Sequence, residues 1–129
     1  MPEHPNAAIV RSAYQALERG DIETFASRLD ENILWHESTS GLEGDYQGRD
    51  NVLAFPGRVF ADIEMNAMAI HDILASDDHT VVLHETTMTK AGRSFTGQYA
   101  DVCHLRDGKL SEHWHLAVDP KADEDFMRG

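Results

Sequence analysis

Hydrophobic and polar residues alternate with a period of two through the C-terminal half of the chain. The clearest stretch runs from Arg93 to Asp119, where two segments rich in β-branched and aromatic residues flank Asp107 and Gly108. An Asp-Gly pair between such segments is typical of a tight β-hairpin turn. The pattern therefore predicts a long antiparallel hairpin.

Strand alternation assigns the side chains of this hairpin to two faces, because residues two apart on a strand point the same way. On the first strand, one face is predicted to hold Tyr99, Asp101, Cys103 and Leu105, and the other Ala100, Val102 and His104. On the second strand, His113, His115 and Ala117 alternate with Glu112, Trp114 and Leu116. We expect imidazoles and a carboxylate to converge on one side of the sheet.

The rest of the chain predicts helices first and further strands afterwards. The predicted elements are helices at residues 7–19, after Asp21 and from Arg49 onwards, and strands at residues 33–36, 65–76, 79–90, 93–106 and 109–118. Pro56 lacks a backbone N–H, so we expect a kink or an early break in the third helix. Residues 40–48 read as a polar loop that could rim a pocket. The tail after Pro120 reads as a charged peripheral segment in which Phe126 could fold back as an anchor.

This order of elements predicts a single α+β domain over residues 1–129. The strand at residues 65–76 is apolar on both faces, which indicates that both faces of the sheet are covered. Helices would cover one face, and a second copy of the chain would cover the other. We therefore expect a homodimer formed through the outer sheet face, with Trp114 and Leu116 in the interface.

Acidic residues outnumber basic ones by 23 to 11, which gives a net charge of −12. Such a charge repels nucleic-acid backbones and anionic membranes, so neither is expected as a partner. The chain lacks a signal-peptide pattern and an apolar run of about 20 residues, and we expect a cytoplasmic protein. Cys103 is the only cysteine, which excludes an internal disulfide and a cysteine-based zinc cluster.

Three segments carry a resemblance to a known family: YQALERGDIETFASRLDENILWHE, GDYQGRDNVLAF and HLRDGKLSEHWHLAVD. In these segments the chain resembles the nuclear transport factor 2-like superfamily, in its SnoaL-like and ketosteroid-isomerase-like branch. The resemblance implies a strongly curved, mixed sheet that wraps around three N-terminal helices into a cone. It also implies a pocket inside the cone and often a dimer. Because one fold serves many functions, the activity must be argued from the site.

Matching the family motifs residue by residue suggests two catalytic groups. His36 falls where ketosteroid isomerases have their general-base aspartate. Asp101 resembles the pocket aspartate that stays protonated and donates to the developing oxyanion. The isomerase tyrosine falls at Ala13, with Tyr14 one position later. Limonene epoxide hydrolases of this fold would have an arginine at the position of Tyr99, so we do not expect epoxide hydrolysis.

The predicted pocket is unusually polar for a protein core. Ligand-binding or positioning roles are expected for Tyr14, Trp35, His84, Thr86, Tyr99, His113 and His115. One alternative is that these groups satisfy one another's hydrogen bonds and are structural. Another is a zinc or iron site, since imidazoles and carboxylates bind both metals; its ligands would come from His36, His84, Asp101 and His113. Internal pairing of the cluster favours no metal and no cofactor.

Together these observations predict a small-molecule-binding protein with cofactor-free acid–base chemistry. The substrate would be a compact, mostly apolar carbonyl compound, and the reaction an isomerisation, cyclisation or elimination. His36 would abstract a proton and Asp101 would donate to the enolate-like oxygen. An apolar environment penalises the charged form of Asp101, so this residue is either a general acid or the partner of an imidazolium. The alternative function is a non-catalytic ligand-binding module with structural histidines.

Overall fold

A computed structural model describes residues 3–38, 43–59 and 62–128. These residues form four helices and six strands. The helices are α1 (Pro5–Glu18), α2 (Ile22–Ser27), α3 (Arg49–Val59) and α4 (Pro120–Arg128). The strands are β1 (Leu29–Glu37), β2 (Gly44–Gln47), β3 (Glu64–Ala75), β4 (His79–Lys90), β5 (Arg93–Arg106) and β6 (Lys109–Ala117).

The strands form one curved sheet in the order β2-β1-β6-β5-β4-β3. Strands β1 and β6 are parallel, whereas the other neighbours are antiparallel, so the sheet is mixed. The pairing of β3 with β4 shifts register between Met65 and Ala67 and again between Ile70 and Asp72. Such irregularities bend a strand and increase its twist. The predicted α+β class with a curved mixed sheet is confirmed.

Two tight turns connect the long strands. Asp107 and Gly108 both have positive φ angles, of 53° and 75°, and so do Ala91 and Gly92, at 52° and 77°. Two consecutive positive φ angles are typical of a type I′ turn, whose twist matches that of the flanking strands. The hairpin predicted from Asp107-Gly108 is therefore confirmed, with β5 and β6 as its arms.

Helices α1, α2 and α3 pack against one face of the sheet. Residues of α1 at helical spacing, such as Val10 and Ala13, are fully buried, and the core continues through Phe25 of α2 and Ile33 of β1. The Asp21 carboxylate accepts from the backbone N–H of Thr24 at 3.1 Å, as expected for the cap of α2. We call this covered face the inner face and the opposite one the outer face.

Three details of the predicted elements were wrong. Strand β1 begins at Leu29 rather than at residue 33. Helix α3 continues through Pro56 to Val59, so of the expected kink or early break, the break does not occur. Part of the predicted polar loop, Gly44–Gln47, forms the edge strand β2, and residues 40–42 of that loop lie outside the described residues. The strand is short and polar, which suits an edge and makes it hard to recognise in a sequence.

The C-terminal segment is a fourth helix rather than a peripheral tail. The Asp119 carboxylate caps α4 by accepting from the N–H of Ala122 at 3.1 Å. Phe126 is only 5% exposed, and it packs in a small apolar cluster with Ile63, Met88 and Tyr99. The predicted three-helix cone therefore has an additional helix that packs on its strands.

None of the described helices is long and apolar enough to cross a bilayer. The predicted cytoplasmic location stays a prediction, and so does the expected absence of nucleic-acid partners.

Candidate functional site

A cavity of about 140 Å³ lies between the helices and the inner face of the sheet. Most of the surface that lines it is apolar. The apolar lining residues are Leu17, Phe25, Val52, Met65, Met68, Met88, Leu110 and Met127. The polar lining consists of Tyr14, Trp35, Glu37, His84, Thr86, Tyr99, Asp101, His113, His115 and Asp123. An apolar cavity with a few convergent polar groups is the usual form of a small-molecule site.

Asp101 is the centre of the polar part of this cavity. Strand β5 places it opposite Val82 of β4 and His115 of β6, and its side chain is almost completely buried. One carboxylate oxygen, Oδ1, lies 2.6 Å from Nδ1 of His115. The other, Oδ2, lies 2.8 Å from Nε2 of His84 and accepts from the Tyr14 hydroxyl. Both oxygens are therefore engaged by hydrogen-bond donors.

The protonation states of Asp101 and His115 depend on each other. Burial by itself would raise the pKa of Asp101, but the charge of His115 and hydrogen bonds from His115 and His84 hold it well below its usual range. Burial by itself would lower the pKa of His115, but the Asp101 charge and hydrogen bond raise it to about 9. At neutral pH the two residues are therefore a carboxylate and an imidazolium.

Two further residues near Asp101 stay uncharged at neutral pH. Burial, followed by the charge of Asp101, raises the pKa of Tyr14, so the phenol keeps its proton and donates it to the carboxylate. Burial lowers the pKa of His113 to about 4, against an opposing effect of Asp101. His113 Nε2 lies 3.4 Å from the Tyr14 hydroxyl. Tyr14 and His113 are thus neutral polar groups beside the ion pair of Asp101 and His115.

Aromatic rings fix the orientation of the imidazoles. Trp35 of β1 stacks on His113 of β6 with 3.6 Å between ring centroids, as their pairing in the parallel ladder allows. Tyr99 stacks on His115 at 4.7 Å, and its hydroxyl donates to Asp123 of α4 at 2.6 Å. These contacts leave little freedom for the rings, which is what a preorganised site requires.

The family assignment follows from comparison with known proteins. Residues 10–113 match the model of the SnoaL-like domain, which accounts for most of the chain. This chain belongs to the SnoaL-like family. The family is part of the nuclear transport factor 2-like (NTF2-like) superfamily, so the predicted superfamily is confirmed. The comparison with curated proteins gave no match.

Three solved structures illustrate the similarity of the fold. Bal32a, from a soil-derived mobile gene cassette, is 27% identical over 96% of this chain and 97% of its own, with a TM-score of 0.85. An NTF2-like protein of unknown function from Burkholderia pseudomallei is 26% identical over 98% and 100%, with a TM-score of 0.89. TerC, co-crystallised with polyporic acid, is 21% identical over 98% and 100%, with a TM-score of 0.82.

In this SnoaL-like protein, most of the predicted site residues line the cavity, but His36 does not. Its ring stacks on Trp114 at 5.1 Å, and its two nitrogens lie 2.8 Å from Asp45 and 2.6 Å from Glu112, on the outer face. The prediction that His36 and Asp101 face each other across the cavity is therefore wrong. Side chains of β1 alternate, so Trp35 points inwards and its neighbour His36 points outwards.

The protonation of Asp101 also changes the role expected from the resemblance. A carboxylate that accepts from Tyr14, His84 and His115 carries no proton to donate to an oxyanion. Of the two possibilities that the sequence left open, the geometry supports the pair with an imidazolium. The proton available at neutral pH belongs to His115.

Two acidic residues on the cavity wall were not predicted. Glu37 is 7% exposed, and its Oε1 accepts from Nε1 of Trp35 at 3.0 Å. Strand alternation could have identified it, because it lies two residues after Trp35 on the same face. Asp123 is 9% exposed and belongs to α4, a helix that the sequence reading missed. Its position three residues before Phe126 was a weak helical signal.

Among the described residues, the donor atoms of His84, Asp101 and His115 in the cavity lie within 4.8 Å of one another, so these three are possible metal ligands. This set differs from the predicted one, because it contains His115 and lacks both His36 and His113. The donors already bond to one another, so a metal would have to displace buried hydrogen bonds, which costs free energy.

Proposed function

We propose that this protein binds a compact, mostly apolar carbonyl compound in its cavity and transfers protons to and from it without a cofactor. Membership of the SnoaL-like family supports binding of a small molecule. The co-crystallisation of TerC, a protein of the same fold, with polyporic acid supports it as well. The observation that carries the proposal is the Asp101–His115 pair on a largely apolar cavity wall.

His115 is the proposed proton donor. Its Nδ1 is held by Asp101, and within the described residues its Nε2 has no hydrogen-bond partner. The imidazole side chain is 22% exposed, so a bound molecule can reach it. A positioned imidazolium stabilises the negative charge that develops on a carbonyl oxygen when the adjacent carbon loses a proton. Asp101 acts through His115 by fixing its ring and keeping it charged.

The proton acceptor is proposed to be one of the two remaining carboxylates on the cavity wall, Glu37 or Asp123. Both are buried and both line the same cavity as His115. Removal of an α-proton by one of them, with proton donation from His115, gives an enol. An enol is the common intermediate of isomerisations, cyclisations and eliminations next to a carbonyl. This scheme replaces the predicted role of His36.

Deuterium exchange into a simple ketone tests this proposal without knowledge of the natural substrate. Cyclohexanone in D₂O loses its α-proton NMR signal as it enolises, and the protein should accelerate that loss over buffer. His115→Gln should reduce the acceleration by roughly 10²-fold or more, because a positioned acid contributes about that much. The acceleration should also fall as the pH rises through about 9, where His115 loses its proton.

The matched control is His71→Gln, since His71 lies exposed on β3 outside the cavity. This variant should exchange as fast as the wild type. Glu37→Gln and Asp123→Asn identify the acceptor, because only the variant that lacks the base should lose exchange. Equal rates for the wild type and His115→Gln would rule out the proposed donor.

A second proposed function is non-catalytic ligand binding. It is favoured by the fact that both carboxylate oxygens of Asp101 already have hydrogen-bond partners within the protein. Tyr14, His84 and His115 together satisfy both carboxylate oxygens, as they would in a purely structural network. In that case cyclohexanone or a larger ketone should shift the NMR signals of Trp35 and of the cavity methionines without any exchange. Exchange that depends on His115 would exclude this alternative.

We further propose that two copies associate through the outer face. Leu74, Val81, Val102 and Trp114 lie in register across four neighbouring strands on this face. Leu74 is 52% exposed, and Leu116 on the same face is 48% exposed. An apolar surface across four strands is costly to leave in water and is typical of a subunit interface.

A further inference from the structure

A second cluster of histidine and aspartate side chains lies at the surface, away from the cavity. It contains Asp78, in the turn between β3 and β4, with His79 at the start of β4 and His104 near the end of β5. Each residue offers one ligand atom, and these atoms lie within 4.8 Å of one another. The cluster comes from two separate parts of the chain that the sheet brings together.

The two histidines are direct cross-strand neighbours. His79 pairs with His104 in the β4–β5 ladder, and their rings stack with 4.6 Å between centroids and 13° between planes. Directly paired residues on antiparallel strands have Cβ atoms about 5 Å apart, so two imidazoles there can reach a common ion. The pair is the end of the β4–β5 ladder, whose register has no shift, so the backbone holds the two residues opposite each other.

The turn that carries Asp78 is also well fixed. The carbonyl oxygen of Asp78 accepts from the N–H of Leu105 at 2.9 Å, and this bond connects the turn to β5 next to His104. The side chain of Asn6 in α1 donates to the carbonyl oxygens of Ser76 and Asp77, at 3.0 and 2.9 Å. A carboxylate on a turn that is bonded to both α1 and β5 loses little entropy when it binds an ion.

The carboxylate of Asp78 already lies beside one of the imidazoles. Oδ1 of Asp78 lies 2.8 Å from Nδ1 of His79 and 3.2 Å from the hydroxyl of Ser76. Asp78 and His79 have side chains that are 64% and 53% exposed, so water can replace their mutual bond at little cost when the side chains turn towards an ion.

We propose that Asp78, His79 and His104 bind one divalent transition-metal ion at the surface, of the class of Ni²⁺ and Zn²⁺. Two imidazoles and one carboxylate suit these ions, whereas Mg²⁺ and Ca²⁺ prefer oxygen ligands alone. Metal–nitrogen bonds of about 2.0–2.1 Å require the three donors to converge, and rotation of the exposed Asp78 and His79 side chains towards the half-buried His104 provides that movement. The site is independent of the cavity and of the proposed proton transfer.

Calorimetric titration of the untagged, chelator-treated protein with NiCl₂, and separately with ZnCl₂, tests the proposal. One equivalent should bind at neutral pH. His79→Gln and His104→Gln should each weaken binding about tenfold or more, because loss of even an outer metal partner usually has an effect of that size. Binding should also weaken on acidification, since protons compete with the metal for imidazole.

Two controls separate this site from other histidines. His71→Gln, on an exposed position of β3, should bind as the wild type does. His84→Gln alters the cavity donors and should also leave the binding unchanged. The proposal is overturned if the wild type shows no saturable binding, if His79→Gln and His104→Gln bind normally, or if only His84→Gln loses binding. Circular dichroism of each variant checks that the fold is retained.

Discussion

At the scale of single residues, the cavity depends on the ion pair of Asp101 and His115. Each partner reverses the effect that burial alone would have on the other, so neither charge is stable there without its neighbour. The pKa of His115 is raised, so the stabilisation that it gives is complete below its unfolded pKa of about 6.5 and is lost as the pH rises through about 9. Asp101 has a lowered pKa, and its contribution is lost only in strong acid.

Replacement of Asp101 by asparagine tests whether Asp101 raises the pKa of His115. Asp101→Asn removes the charge that raises the pKa of His115, so that pKa should fall from about 9 towards or below its ordinary value. Titration of the imidazole ring signals by NMR measures the change. The control is Asp45→Asn, because Asp45 contacts His36 on the outer face and should leave the titration of His115 unaltered. An unchanged pKa of His115 in Asp101→Asn would contradict the assignment.

Some residues of the site could be placed from the sequence, and others could not. Alternation along β5 and β6 correctly placed Asp101 and His115 on one face, because a paired strand has a strict period of two. His36 was assigned by family position, and its neighbour Trp35 points into the cavity instead. The alternation of side chains along β1 is predictable from the sequence. Which face of β1 is buried depends on its parallel partner β6, which lies far away in the sequence.

At the scale of elements, the sequence pattern did not predict helix α4. Its residues are mostly charged, so its burial depends on one aromatic anchor, Phe126, and on tertiary bonds. Arg93 donates to the Phe126 carbonyl at 3.1 Å, and Lys90 donates to that of Met127. These contacts satisfy carbonyl groups at the end of the helix, which have no partner within it. Such long-range support leaves almost no local trace in the sequence.

Truncation of the anchor should therefore loosen the whole helix. Phe126→Ala should lower the free energy of unfolding by about 3 kcal/mol, because it removes a buried aromatic ring and leaves a cavity. It should also weaken the bond between Tyr99 and Asp123 and admit water to the main cavity. Urea unfolding measures the change in the free energy of unfolding. Faster hydrogen exchange of the α4 amides would show that the helix has loosened.

The matched control on the same helix is Lys121→Ala. Lys121 pairs with Asp125 at an 84% exposed position, so its loss should change the stability by less than about 0.5 kcal/mol. If Phe126→Ala costs no more than this control, α4 does not depend on its anchor.

At the scale of the whole molecule, the two faces of the sheet have different roles. The inner face forms the cavity, and helices cover it. On the outer face, an apolar row from Leu74 to Trp114 lies beside a polar group in which His36 is held by Asp45 and Glu112. Hydrogen bonds that the His36 ring donates to these two carboxylates, the one to Glu112 first, raise the pKa of His36. Asp101, which the sequence suggested for catalysis, thus lies on the inner face, whereas His36, the other suggested catalytic residue, shares the outer face with Trp114.

Association through the outer face should be sensitive to a charge at Trp114. Trp114→Glu places a carboxylate in the proposed interface, near Asp45 and Glu112, so desolvation and repulsion both oppose pairing. Light scattering of the wild type at micromolar concentration should give the mass of a dimer, and the variant should shift to monomer. Gln15→Glu adds the same charge at an exposed site on α1 and should remain dimeric. A monomeric wild type, or a Trp114→Glu variant that stays dimeric, would exclude this surface as the interface.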